Sequence, residues 1–139
     1  MANNPKKVDP AEAALSAIEE AGGDGILDFG RGKTLKVSNL GKVFFPKEKY
    51  TKGDVMRYYA RIADFILPTI KDRPLVLKRF PNGIDGQSFY QHKAPDTVPA
   101  GVRIEVIAVE GSEKVPRIIG GDLLTLLYTI QLGAISVDP

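Results

Sequence analysis

The chain of 139 residues has the length of one domain, and its composition, 43% hydrophobic and 26% charged, is that of a globular protein. The absence of cysteine excludes disulfides and thiolate metal sites. Because no apolar run approaches the roughly 18 residues of a membrane span and no signal-peptide pattern opens the chain, we expect a soluble, cytoplasmic protein with no membrane partner.

The charges are distributed unevenly along the chain, although the formal net charge is only +2. Residues 1–30 carry a net charge of −4, residues 31–93 one of +9, and residues 94–139 one of −3. A basic middle between acidic flanks is typical of a protein that binds a polyanion. A lysine-rich solvated surface accounts for the same pattern equally well.

The first 32 residues are predicted to be a flexible leader or linker. Residues 10–21 are rich in alanine and could form a short helix, but the glycines that follow end this helix and add flexible joints. We therefore expect the folded domain to span residues 33–139.

The remaining sequence predicts alternating strands and helices. Residues 34–38 alternate with the period of a strand, and residues 43–45 form a short buried strand before Pro46. The clearest helix is predicted from Thr51 to about residue 67, with Asp54 completing a capping box and Pro68 ending the helix. The later elements are a strand at 75–80, a tight loop at 82–86, a hairpin at 102–118, an apolar helix at 123–132 and a strand at 134–137. This order predicts an α/β or α+β layer fold, with a mixed sheet and packed helices.

The sequence offers no self-contained catalytic site. His92 is the single histidine, and no serine has histidine and acid partners at the spacing of a triad. No His-x-x-x-His or Asp-x-Asp spacing predicts a metal site, and we expect Asp85 to shape a turn rather than to bind a metal. We expect no catalysis by this chain alone, and we expect His92 to be a surface residue.

The start of the helix at Thr51 is a candidate phosphate site. Lys52 takes the first helical position and Gly53 the next, where free N–H groups and the partial charge of the helix favour an anion. The preceding loop adds Asn39 and Lys42. A capped surface helix with scattered lysines is the alternative reading.

A second cluster combines Lys78 and Arg79 with Phe89 and Tyr90. The two basic residues are consecutive on a strand, so they face opposite sides of the sheet. Consecutive aromatic rings after a polar loop can stack on exposed bases, each worth about 1–3 kcal/mol. The alternative is that one ring belongs to the core and the other is half-buried, and we expect one ring inside the core and one outside it.

These motifs together resemble the opening of the polymerase domain of bacterial DNA ligase D, a member of the archaeo-eukaryotic primase superfamily. The resemblance rests on residues 38–46 (SNLGKVFFP), 51–54 (TKGD) with the tyrosine pair at 58–59, and 78–90 (KRFPNGIDGQSFY). The apolar helix and strand at 123–134 continue it. It covers residues 34–139 and leaves the leader outside.

The resemblance implies specific contacts with DNA. Lys42 and Lys52, with Asn39 nearby, would bind the 5′-phosphate on the far side of a gap or break. Phe89 and Tyr90 would stack against the template where it bends. Lys78 and Arg79 would lie along the DNA backbone in the same half of the domain.

The resemblance also implies nucleotide addition during non-homologous end joining, with Mn or Mg and NTP as cofactors and Ku as a partner, in a nucleoid-associated protein. The metal-binding Asp-x-Asp pair, the Ser-x-His motif and the third carboxylate of the family lie beyond residue 139, and Asp138 stands where the family often has histidine. We therefore expect the front part of a polymerase domain, truncated before its metal-binding motif and holding no metal itself. A stand-alone nucleic-acid-binding module and a non-functional truncation are the alternatives.

Overall fold

The computed structural model describes residues 10–108 and 113–138. Along the chain they form α1 (Pro10–Glu20), β1 (Gly25–Asp28), β2 (Thr34–Val37), β3 (Val43–Phe45), β4 (Tyr50–Thr51), α2 (Lys52–Arg61), α3 (Ala63–Ile70), β5 (Val76–Arg79), β6 (Phe89–Gln91), β7 (Arg103–Ala108), β8 (Lys114–Ile119), α4 (Leu123–Gln131) and β9 (Ala134–Asp138). The described strand pairs β1–β2, β3–β4, β5–β6, β5–β9 and β7–β8 are all antiparallel. The predicted α+β class is confirmed.

The segment before β2 is packed into the protein, which differs from the predicted flexible leader. Leu15 of α1 is fully buried in the common core, and β1 pairs with β2 from Gly25↔Val37 to Asp28↔Thr34. Acidic side chains of α1 reach arginines of α2, with Glu19 Oε2 lying 2.7 Å from Arg57 Nε. The glycines after α1 are predicted to be flexible joints, but Gly23 forms a turn at φ +92° whose carbonyl accepts from Leu40 N–H. Residues 1–9 of the predicted leader lie outside the described residues.

The helix predicted from Thr51 to residue 67 is divided into two. Ile62, with φ −98° and ψ 11°, separates α2 from α3. Pro68 does not end the helix as predicted but lies within α3, which continues to Ile70. A proline removes one backbone donor from a helix. The helical hydrogen bonding continues after Pro68, where Lys71 N–H donates to the Leu67 carbonyl at 3.0 Å.

Helix α4 lies at the centre of the core. Its side chains from Leu124 to Ile130 are buried, and it begins where the Asp122 carboxylate accepts from Thr125 N–H at 3.0 Å. Gly133, at φ +91°, turns the chain into β9. Strand β9 pairs with one edge of β5, and β6 pairs with the other. The predicted helix and final strand are confirmed.

Strand β3 and the hairpin follow the sequence prediction, whereas β4, which pairs with β3, was not predicted. Phe44 of β3 is buried, although Val43 is 44% exposed. The turn after β5 has Gly83 at φ +90°, with its N–H donating to the Phe80 carbonyl at 3.0 Å. Strands β7 and β8 pair as a hairpin whose tip lies outside the described residues. No helix in the described part of the chain is long and apolar enough to cross a bilayer.

Candidate nucleic-acid interface

The structure brings Lys42 and Lys52 into one site. Lys52 is only 5% exposed, and its Nζ donates to the Ser38 carbonyl at 2.8 Å. Burial, followed by the positive charge of Lys42, lowers the pKa of Lys52 to about 8, while the charge of Asp24 acts in the opposite direction. The Lys52 ammonium is therefore held in place in a positive environment, which an anion would relieve.

The first amides of α2 are engaged within the protein, so the predicted use of free amides there is wrong. Lys52 N–H donates to the Lys42 carbonyl and Gly53 N–H to the Leu40 carbonyl, both at 2.8 Å. The capping box is confirmed, since Asp54 N–H donates to Thr51 Oγ1 at 3.1 Å and Thr51 N–H donates to the Asp54 carboxylate at 2.8 Å. The loop before β3 folds back and takes the donors that an isolated helix would leave open.

Gly53 lies against the Glu19 side chain of α1. A Cβ at this position would lie 2.3 Å from Oε1 of Glu19, so the Glu19 side chain would have to move. Glu19 is in turn bound to Arg57 one turn later in α2. Gly53 therefore leaves room beside α2 for the Glu19 side chain that binds Arg57.

Asn39 and Lys42 bracket a tight turn. Asn39 has φ +57°, in the left-handed region that asparagine tolerates better than most residues. Its carbonyl accepts from Lys42 N–H at 2.9 Å. Lys42 is exposed, and its Nζ donates to the Pro81 carbonyl and, at 3.3 Å, to Oδ1 of Asn82. Lys42 thus links the Lys52 site to the turn between β5 and β6.

The second cluster is built from cross-strand pairs of β5 and β6. Lys78 lies opposite Tyr90, with Nζ 5.5 Å from the ring centroid, and Arg79 lies opposite Phe89, with Cζ 5.0 Å from that centroid. These are cation–π distances. The prediction that Lys78 and Arg79 face opposite sides is confirmed. Lys78 contacts Tyr90 and Arg79 contacts Phe89, and these consecutive residues of β6 lie on opposite faces of the strand.

Both rings are outside the core, so the expectation that one would be buried is wrong. Phe89 is 46% exposed and Tyr90 is 60% exposed. The cause is their position on β6, which lies at the end of the described strand order β6-β5-β9. The buried positions of this region are taken by Leu77 and Phe80 instead. His92, just beyond β6, is exposed.

Arg79 is largely committed to the protein. Its Nε donates to the Leu132 carbonyl at 2.5 Å and Nη1 donates to Gln91 Oε1 at 2.7 Å. Burial lowers the pKa of the Arg79 guanidinium. Arg79 therefore links the end of β5 to the end of α4, and its guanidinium packs against the Phe89 ring.

Sequence reasoning missed Gln131, which holds the residue that binds Lys52. Gln131, at the end of α4, accepts from Ser38 N–H at 3.0 Å and donates to Ser38 Oγ at 2.8 Å. This double contact fixes the carbonyl that holds Lys52. An amide at the end of a buried helix is the signal that could have identified it, because buried amides need partners.

Residues 51–139 match the family model described as LigD, primase-polymerase domain. The chain belongs to this family. The match includes Lys52 and the β5–β6 cluster, while Asn39 and Lys42 precede the matched range.

Relatives of the LigD family align with a limited part of their own length. The bifunctional non-homologous end joining protein LigD of Bacillus subtilis strain 168 is 34% identical over 94 residues, which are 68% of this chain and 15% of that protein. The multifunctional non-homologous end joining protein LigD of Mycolicibacterium smegmatis is 33% identical over 70 residues, 50% of this chain and 9% of that protein. The chain thus spans a small fraction of these LigD proteins.

The fold is similar to a solved LigD structure, the polymerase domain from Mycobacterium tuberculosis ligase D in complex with DNA. The similarity has a TM-score of 0.70 at 29% identity, and it covers 74% of this chain and 36% of the solved chain. The sequence-based assignment to this family is confirmed.

Proposed function

We propose that this chain is the DNA-binding portion of a repair polymerase of non-homologous end joining and that it recognises the 5′-phosphate at a gap or break. The observation that carries the proposal is the joint placement of Lys42 and Lys52, with the Lys52 ammonium held by a carbonyl. In the described part of the chain, no ion pair involves Lys52. A DNA phosphate would supply the missing negative charge.

The two lysines suit a terminal phosphate in different ways. Lys52 is buried and fixed, so it offers a defined position for one phosphate oxygen. Lys42 is exposed, and because an ammonium has three donors it can keep one carbonyl contact while it donates to the phosphate. Asn39, exposed in the same turn, can donate its side-chain amide to a further oxygen. A terminal phosphate has more charge and more free oxygens than an internal phosphodiester.

The exposed rings of β6 extend the proposed interface toward the template. Lys42 contacts Asn82 in the turn that joins β5 to β6, and β6 carries Phe89 and Tyr90. Stacking of an unpaired base on either ring would contribute about 1–3 kcal/mol. Lys78, beside Tyr90, would add a contact with the DNA backbone, and Arg79 would act mainly by holding Phe89. The solved LigD domain in complex with DNA and the end-joining names of the relatives support DNA as the ligand class.

Nucleotide addition needs groups that the described residues do not bring together. Two-metal transfer of a nucleotide requires carboxylates that hold both ions. Among residues 10–108 and 113–138, no three histidine, cysteine or acidic side chains come together. The described residues do not fit a pair of Mn or Mg ions with NTP, so we assign these cofactors to other parts of a LigD protein. We also propose Ku, the end-binding protein, as a partner, because the chain belongs to the LigD family.

Binding to gapped DNA is expected to depend on a 5′-phosphate and to weaken with salt, because lysine–phosphate contacts release counterions. We expect the phosphorylated gap to bind about tenfold or more tightly than the same gap with a 5′-hydroxyl. Fluorescence anisotropy with both DNAs at several salt concentrations measures this. Equal affinity for the two ends would contradict the proposed 5′-phosphate site.

The preference for phosphate is also expected to depend on pH. The phosphate becomes a dianion above about pH 6, and Lys52 carries its proton below its pKa of about 8. Because a lowered lysine pKa means that the charge is lost earlier as pH rises, affinity should be highest between these values. Above about pH 8 it should fall by up to about tenfold per pH unit. Anisotropy titrations across this range check the profile, and a flat response would show that Lys52 is not the phosphate ligand.

A further inference from the structure

The turn between α1 and β1 contacts the turn that carries Asn39 and Lys42. The Asp24 carboxylate accepts from Asn39 N–H at 2.9 Å, and the Gly23 carbonyl accepts from Leu40 N–H at 3.1 Å. Gly23 has φ +92°, and a Cβ there would lie 3.3 Å from the Leu40 nitrogen. Two consecutive hydrogen bonds and a close backbone approach therefore join these turns.

The connection continues to the start of α2. Leu40, held by Gly23, accepts from Gly53 N–H, and Lys42 accepts from Lys52 N–H, both at 2.8 Å. The position of Lys42 relative to Lys52 is thus determined by a chain of hydrogen bonds that begins at Asp24. The hydrogen bond from Asn39 N–H to Asp24 helps to hold Asn39 in its left-handed conformation at φ +57°.

Asp24 acts on the site through its charge as well. Lys42 and Asp24 are the charged groups whose fields act on Lys52: that of Lys42 lowers the pKa of Lys52 and that of Asp24 raises it. A carboxylate that only tightened the turn would leave the titration of Lys52 unchanged. The two effects can be separated by substitution.

We propose that Asp24 is a positioning residue for the 5′-phosphate, because it fixes, through Asn39 N–H, the turn that presents Lys42 beside Lys52. This inference rests on the proposed function of the two lysines. Asp24 lies before the residues that match the LigD family model, so the support comes from the segment that precedes the family match. Asp24 would not touch the phosphate itself.

Three variants test the role of Asp24. Asp24→Ala removes both the acceptor and the charge, Asp24→Asn keeps the Oδ1 acceptor and removes the charge, and Glu20→Gln removes one exposed charge from the same segment. At about pH 7 we expect the preference for the 5′-phosphorylated gap to fall about tenfold in Asp24→Ala, the size of one lost hydrogen bond. It should stay near wild type in Asp24→Asn and Glu20→Gln.

The readouts are the affinities of both gapped DNAs, the exchange rate of the Asn39 amide hydrogen, and a thermal melt that verifies folding. Asn39 exchange should accelerate in Asp24→Ala and stay slow in Asp24→Asn, with or without DNA. Asp24→Asn should also begin to lose affinity at a lower pH than wild type, a change that a purely structural role would not produce.

The inference is overturned if Asp24→Ala keeps the wild-type preference, or if Asp24→Asn loses as much as Asp24→Ala. An unchanged pH profile in Asp24→Asn would overturn the electrostatic part. These outcomes differ from failure of the proposed function, in which wild type itself would show no preference for the phosphorylated end.

Discussion

A Lys52→Met variant is expected to bind the 5′-phosphorylated gap about 10- to 100-fold more weakly than wild type, which corresponds to the loss of one hydrogen bond between charged groups. Affinity for the 5′-hydroxyl gap should change little. Methionine keeps an unbranched stem in the buried space of Lys52 and removes the ammonium. The fold should persist, since a buried charge without an ion-pair partner is itself costly, although the Ser38 carbonyl loses a donor.

The matched control is Lys47→Met, which removes an exposed lysine from the turn between β3 and β4. It should lower the affinity for both DNAs by the same small factor, because a lysine outside the proposed phosphate site contributes only to the general electrostatic attraction. Anisotropy titrations of the three proteins at one salt concentration measure the ratio of the two affinities. If Lys47→Met and Lys52→Met lower that ratio equally, the basic surface acts as a whole and no specific phosphate site exists.

The features that sequence predicted well are those determined by neighbouring residues. The capping box of Thr51 and Asp54 involves residues three positions apart and is present with both hydrogen bonds. The opposite orientation of Lys78 and Arg79 follows from the two-residue period of a strand. The apolar helix α4 ends as predicted where Gly133 adopts a left-handed conformation.

The features that sequence missed depend on partners far along the chain. The amides of α2 are engaged by carbonyls of a loop about ten residues earlier, and no local pattern predicts how that loop folds back. The exposure of Phe89 and Tyr90 follows from the place of β6 in the sheet order. Helix α1 contacts α2 through Glu12 and Arg61, a pair separated by 49 positions. Composition alone made this helix resemble a linker.

The last prediction concerns that helix. A Leu15→Ala substitution is expected to destabilise the protein by about 2–5 kcal/mol, the usual cost of a buried leucine replaced by alanine. Leu15 is fully buried in the common core with Leu27 and Leu35. If residues 10–20 were a flexible leader, the same substitution would change stability by less than about 0.5 kcal/mol.

Urea denaturation followed by circular dichroism measures the difference, with Glu20→Ala as the control. Glu20 is exposed on the same helix, so its truncation should shift stability by no more than about 0.5 kcal/mol. Because α1 also supports Gly53 through Glu19, the loss of packing at Leu15 should weaken the preference for a 5′-phosphate together with stability. A Leu15→Ala protein as stable as Glu20→Ala would show that α1 is not packed against the core. The hydrogen bonds that connect Asp24 to Lys52 could then not depend on the packing of α1.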